Sequence, residues 1–550
     1  MKSFSLQVAV YLTIAVTCIP AGVQAQTDSV PLYEDLGNYH LGITTTIPLA
    51  QRYFDQGIRL YYAFNHAEAI RAFREAQRLD PECAMCWWGE ALAWGPNINL
   101  PMDTPSAQAA FTAINAANAR RSGESSRELA MLDALTMRYS ADAPEDRAHL
   151  DQAYAEAMAA VDADYPDDND VSVLYAEALM NLRPWDYWTE QRNPRPGIDI
   201  ALDQLEAVLD ANASHPGACH FYIHAVEEVF PERAVPCAER LAELMPGAGH
   251  LVHMPGHIYI RVGRYLDAVE ANQHAVHADE TYIQDQRPGM GMYTAGYYPH
   301  NYDFMAFAAM MIGRGNLAVE SATRVTSLLP AELSGGPGMD FLQHWSVRPL
   351  QVQVRFARWQ DILGMSAPAD ENLYALGIWH YARGRALAAT GAIDEASNAL
   401  RELRRIATNP GIEGLRMEFN QASDLLAIAD QVLAGWIAFH DGNQDAAIAA
   451  LETAVQLEDA LLYGEPPEWS VPTRQDLGAV LSAAGRASEA EVVFRQDLAK
   501  FPENGWSLFG LMRALGQQER WPEANRLEQD LARVWTTADV NLESVFPGLR

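Results

Sequence analysis

The feature that most constrains this chain is a short turn that keeps returning, a glycine followed five positions later by an alanine. It reads Gly263-Arg264-Tyr265-Leu266-Asp267-Ala268, then Gly313 to Ala318, Gly391 to Ala396, Gly442 to Ala447 and Gly485 to Ala490. Prolines close the units these turns belong to: Pro246, Pro330 and Pro502, as Pro81 does near the start. Ahead of Pro81, Tyr53, Gly57 and Leu60 recur at helical spacing, and Ala69, Phe73 and Ala76 form a second stripe. Small residues let two antiparallel helices approach, larger ones fill the space between neighbouring pairs, and proline stops the second helix. Each unit buries its apolar face only by stacking on the next. The expected fold is therefore all-α, an α-solenoid of antiparallel helix pairs.

The pattern resembles the tetratricopeptide repeat (TPR) superfamily, W-x2-L-G-x2-Y then A-x3-F and a closing Pro. Tyr53 stands in place of Trp, Gln56 of Leu and Leu60 of Tyr. Leu477-Gly478 and Trp506 with Phe509-Gly510 repeat the first-helix signature. The resemblance runs from Arg52 to Leu531 and implies a TPR-like superhelix of roughly ten helix pairs. HPGACHFYIHAVE and GHLVHMPGHIYIRVGRY make the chain look most like exported bacterial TPR proteins related to the tetratricopeptide repeat protein 38 family. The superfamily implies peptide or protein binding in a concave groove and no cofactor. The expected organisation is a signal peptide (1–25), an extended lead-in (26–49), N-terminal repeats (50–210), central His-rich repeats (211–365) and C-terminal repeats (366–550). Gly-rich insertions are expected at Thr281 to Pro299 and Ala331 to Gln343, where long connections are usually functional loops or disordered. Trp87, Trp88, Trp94, Trp185 and Trp188 read as packing between repeats, or as an aromatic wall.

Composition narrows the partners. A formal charge of −33 argues against nucleic acid and anionic membranes, which select basic patches. Lys2 and Lys500 are the only lysines, so lysine-nucleophile chemistry is nearly excluded from a processed chain. Lys2, the apolar run Val8 to Ile19 and Val23-Gln24-Ala25 read as a secretory signal, so a periplasmic or secreted protein is expected. Cys18 leaves a lipid anchor open. No later apolar run is long enough to span a bilayer. In an oxidising compartment Cys83–Cys86 and Cys219–Cys237 are the favoured pairs, each being local.

Most of the chain's 15 histidines fall between His215 and His300. With the register fixed by Gly263 and Ala268, His250, His253 and His257 share one stripe of a first helix, the stripe that lines the groove in the TPR superfamily. Pro255 sits inside that helix and threatens to kink it. His220, His224 and Glu227 share the equivalent stripe of the preceding unit, His300 and Asp303 of the following one, and His344 of the next. Imidazole with carboxylate suits Zn, Cu, Fe or Mn, and facing helices are a known way to hold such ions. His220, His224, His250, His253, His257 and His300 are the candidate metal ligands. Glu227 is a candidate further ligand and, with Asp303, a candidate catalytic residue; Asp303 or Glu228 is the candidate outer partner or general base. The expected function is a metal-binding or catalytic site in the groove, in a metal-dependent hydrolase or oxidoreductase acting on a small molecule or peptide. The alternative is a non-enzymatic scaffold for a peptide or protein partner. No GxSxG elbow, P-loop, dinucleotide fingerprint or HExxH is present.

Overall fold

The computed structural model describes residues 30–329 and 340–545. The signal segment, Cys18, Pro330 and Gly335-Gly336-Pro337-Gly338 lie outside the described residues. Among the described residues no β-strand forms, only isolated bridges such as Asn97 with Leu100. The chain divides into two units. The first comprises Met1–Ile258 and His274–Thr294, the second Tyr259–Gln273 and Ala295–Arg550.

In the first unit helix Pro48–Tyr62 pairs with His66–Leu79, which packs on Ala84–Ala93. Phe73 explains the fit. A Cβ built on Gly57 would lie 2.5 Å from its ring, and one on Gly89 2.4 Å from it. One aromatic ring is thus wedged between glycines of two successive first helices. The second unit repeats the device: Phe494 would meet a Cβ on Gly478 at 2.5 Å and one on Gly510 at 2.2 Å. Its pairs include Leu373–Ala389 with Ile393–Ala407, Thr473–Ala483 with Ala487–Lys500, and Gly505–Gln517 with Trp521–Val534. Helix Ala422–His440 is long and apolar enough to cross a membrane. It is nevertheless a core helix here, with Leu425, Leu426, Val432, Leu433 and Trp436 all buried.

The returning glycines take the backbone conformation their turn demands. Gly263, Gly313, Gly391, Gly442 and Gly485 have φ of 82, 72, 87, 84 and 74°. Side-chain-bearing residues resist that region.

Helix Tyr265–Gln286 runs well into the stretch read as a Gly-rich insertion, and a π-helical turn, Tyr293–Tyr297, follows it. Only residues 287–292 between them are non-helical or nearly so. Cys83 and Cys86 sulfurs stand at bonding distance, 2.09 Å. Cys219 and Cys237 are buried and face each other with Sγ atoms 2.6 Å apart.

Candidate metal centre

In the first unit the histidines come from three short helical stretches. Helix Pro216–Val226 carries His220 and His224, and Glu227 caps its C-terminus. His215 opens it by accepting the Ala218 N–H at Nδ1 (3.1 Å). The chain is then helical over Gly249–His253 and again over Pro255–Arg261. At Pro255 the helix is interrupted for one residue, Met254, whose backbone stays α-helical (φ −51°, ψ −34°) and whose N–H still donates to the His250 carbonyl. Two glycines let these elements close in. A Cβ on Gly217 would come within 2.5 Å of the Tyr62 ring, and one on Gly249 within 1.9 Å of an Asp279 carboxylate oxygen.

The close approach at Gly217 brings His220 to the end of helix Pro48–Tyr62. Its Nδ1 lies 2.7 Å from the Tyr62 carbonyl oxygen. A carbonyl only accepts, so Nδ1 carries the proton and Nε2 keeps its lone pair. That Nε2 stands 3.1 Å from Nε2 of His250. His220, His224 and His250 each offer a ligand atom within 4.8 Å of the others, and all three are buried. A second group, His224, Glu227 and His257, meets the same limit. Glu227 stands between imidazoles: Oε1 is 3.4 Å from His224 Nδ1 and Oε2 is 3.0 Å from His257 Nδ1. His257 in turn places Nε2 2.9 Å from Nε2 of His253.

Burial and mutual repulsion keep these rings uncharged. Desolvation pushes His220, His224 and His250 well below the ordinary histidine value, and neighbouring imidazoles push in the same direction. Neutral imidazole is the form that binds metal.

An aromatic wall closes the site. The Phe64 ring lies 4.5 Å from that of His220, 6.2 Å from His224 and 5.3 Å from His250, centroid to centroid. Trp185 stands edge-on to His224 at 5.2 Å. Both aromatics hold left-handed backbone, φ 55° at Phe64 and 63° at Trp185. A bulky residue there costs about 1–3 kcal/mol and persists only where its surroundings enforce it. Phe64, like the turn glycines, precedes an alanine, Ala69, by five residues. It occupies the turn position that is glycine in the later units.

The wall was not anticipated at Phe64. An aromatic in a glycine position was the signal that marks it in the sequence. The Tyr62 carbonyl is a backbone group and carries no such signal.

His300 and Asp303 belong to helix Tyr298–Met311 of the second unit. His300 is half-buried against Phe304 and Trp345, at centroid distances of 5.0 and 6.4 Å. Asp303 is buried and forked by Arg348, with Oδ2 accepting from Nη2 at 2.7 Å and Oδ1 2.5 Å from Nε. His344 completes that group, with Nδ1 2.9 Å from the Tyr374 hydroxyl and Nε2 3.3 Å from Arg348 Nη2.

No family model matches the chain, and no curated protein matches it in sequence. Solved structures give likenesses of low score. The TPR domain of P58(IPK) has a TM-score of 0.22 at 11% identity, covering 86% of this chain and 98% of that one. A monomeric mutant of IFIT1 with m7Gppp-AAAA has a TM-score of 0.31 at 12% identity, covering 88% and 90%. Nothing of function passes from either. The helix pairs and their wedged aromatics make this an all-α helical-repeat protein. Its first unit carries a buried imidazole cluster.

Proposed function

We propose that the first unit holds a divalent transition metal ion through His220, His224 and His250. The observation that carries this is convergence: ligand atoms of three buried imidazoles lie within 4.8 Å of one another. One tetrahedral ion with Zn–N bonds of about 2.0–2.1 Å sets its ligand atoms about 3.3–3.4 Å apart, so a spread within 4.8 Å needs only a small inward rotation of the rings. The Tyr62 carbonyl and the Glu227 carboxylate supply the outer hydrogen-bond partners that metal-bound histidines characteristically have. Zn, Cu, Fe and Mn all accept such ligands.

Three protein ligands leave a fourth position for water or substrate, the basis for a metal-dependent hydrolase or oxidoreductase. Glu227 then orients His224. Asp303, held by Arg348, stays outside the proposed set, while His253 and His257 remain in the wider ligand set of the first unit. The proposal keeps the narrower resemblance to exported bacterial TPR proteins. It also keeps a periplasmic or secreted location, with both cysteine pairs closed as disulfides there. The helical-repeat array favours a second reading, a scaffold for a peptide or protein without any metal.

Metal analysis of untagged protein, purified and then reconstituted with Zn, Cu, Fe or Mn, separates the two. The metal reading expects stoichiometric ion in the native chain and, from His220→Gln/His250→Gln, loss of the ion these imidazoles hold, with far-UV helicity unchanged. Absence of bound ion after reconstitution leaves the scaffold.

A further inference from the structure

We infer that the first unit carries a second metal position, built on His253 and His257, and that Glu227 couples it to the first. This rests on the metal reading above. Ligand number is the first argument. His220, His224, His250, His253 and His257 are all buried within the one unit. A tetrahedral ion takes four ligands, one fewer than the imidazoles gathered here.

Proton placement is the second argument. A carboxylate only accepts hydrogen bonds. Glu227 Oε1, 3.4 Å from His224 Nδ1, therefore puts the His224 proton on Nδ1. On its other side Oε2 lies 3.0 Å from His257 Nδ1 without hydrogen-bond alignment, and His257 Nε2 stands 2.9 Å from His253 Nε2. His224 Nε2 is buried and has no hydrogen-bond partner among the described residues. His220 repeats the pattern through the Tyr62 carbonyl. On His220 and His224 the Nδ1 proton is turned toward an acceptor, which makes Nε2 the ligating atom. Such outer partners are what fix metal-binding histidines in place.

Chain geometry is the third. His253 and His257 lie four residues apart, on the two helical segments that adjoin at Met254-Pro255, and so share one helix face. The first unit thus gives this position two imidazoles, and the remaining coordination sites fall to exchangeable ligands. The ring centroids of His224 and His257, one from each position, are 5.4 Å apart with Glu227 against both. Glu227 is a positioning residue in this account: it acts on both ions through the imidazoles it orients.

The test uses the full chain, stripped of metal by chelation and titrated with Co(II), reading the visible d–d bands and the bound ion per chain. Two ions are expected. His253→Gln/His257→Gln should keep the first and lose the second, and His220→Gln/His250→Gln the reverse. Glu227→Gln should weaken both by about 10–100-fold, the usual effect of removing an outer partner. Wild-type chain loaded with Cu(II) should show a half-field resonance from paired ions, a readout that needs no variant and decides the matter if a variant loses helicity. One ion per chain with no half-field signal overturns the second position and leaves the first standing. No ion at all overturns both. Weakening of a single site by Glu227→Gln overturns the coupling role.

Discussion

Phe64 is the residue on which the local account turns. It takes a left-handed backbone at a position where the later units use glycine, and its ring covers three imidazoles. Phe64→Gly relieves backbone strain of about 1–3 kcal/mol but opens the cluster to water. The expected result is a chain with normal helicity and a weaker metal affinity, read by competition with a chromogenic chelator. Unchanged affinity would reduce Phe64 to packing. The imidazoles themselves predict a pH dependence. Their folded values lie below the unfolded one, so the unfolded chain gains protons that the folded cluster refuses as pH drops below about 6.5. The stability of metal-free protein should be fully present above that pH and fall as pH falls toward the folded values. Urea midpoints of the metal-free chain at neutral and mildly acidic pH check this. The triple variant His220→Gln/His224→Gln/His250→Gln should flatten the slope.

At the scale of the helix pair, Phe73 is fully buried between Gly57 and Gly89, whose added Cβ atoms would strike its ring. Gly89→Ala should cost about 1–3 kcal/mol through overpacking, and Phe73→Ala roughly 3–5 kcal/mol through the cavity it leaves. Denaturant midpoints at constant slope measure both, and a neutral Gly89→Ala would mean that the wedge is loose. This level was the most legible in the sequence. Gly57, Ala69 and Phe73 mark a close helix crossing by size alone, and the recurring glycine marks a left-handed turn that other residues resist. The stripe containing His220, His224 and Glu227 could also be read from spacing. The His253–His257 contact spans four residues, the spacing that puts both on one helix face, and Met254 keeps helical backbone across the join. Pairing of Asp303 with Arg348 was invisible, because the partner lies 45 residues away in sequence.

For the whole molecule, the relevant quantity is the coupling between metal and fold. The proposed ligands come from the helices at Pro216–Val226 and Gly249–His253, and the second of these gains its place only by tertiary packing. An ion that binds only the folded arrangement stabilises it by mass action, about 2.7 kcal/mol at a free concentration one hundred times the Kd. Added Zn(II) should therefore raise the Tm of metal-free protein in a concentration-dependent way. His220→Gln/His250→Gln should shrink that rise to what the second position contributes, while the lysine-poor, strongly acidic exterior is unchanged. The same acidic charge of −33 attracts cations nonspecifically, so the double variant, not the wild type in isolation, is the informative comparison. X-ray absorption at the zinc edge of the loaded wild-type chain tests the central claim most directly. The account predicts a first shell at about 2.0–2.1 Å with the outer-shell scattering of several imidazole rings. A shell of oxygen alone, without imidazole scattering, would contradict it.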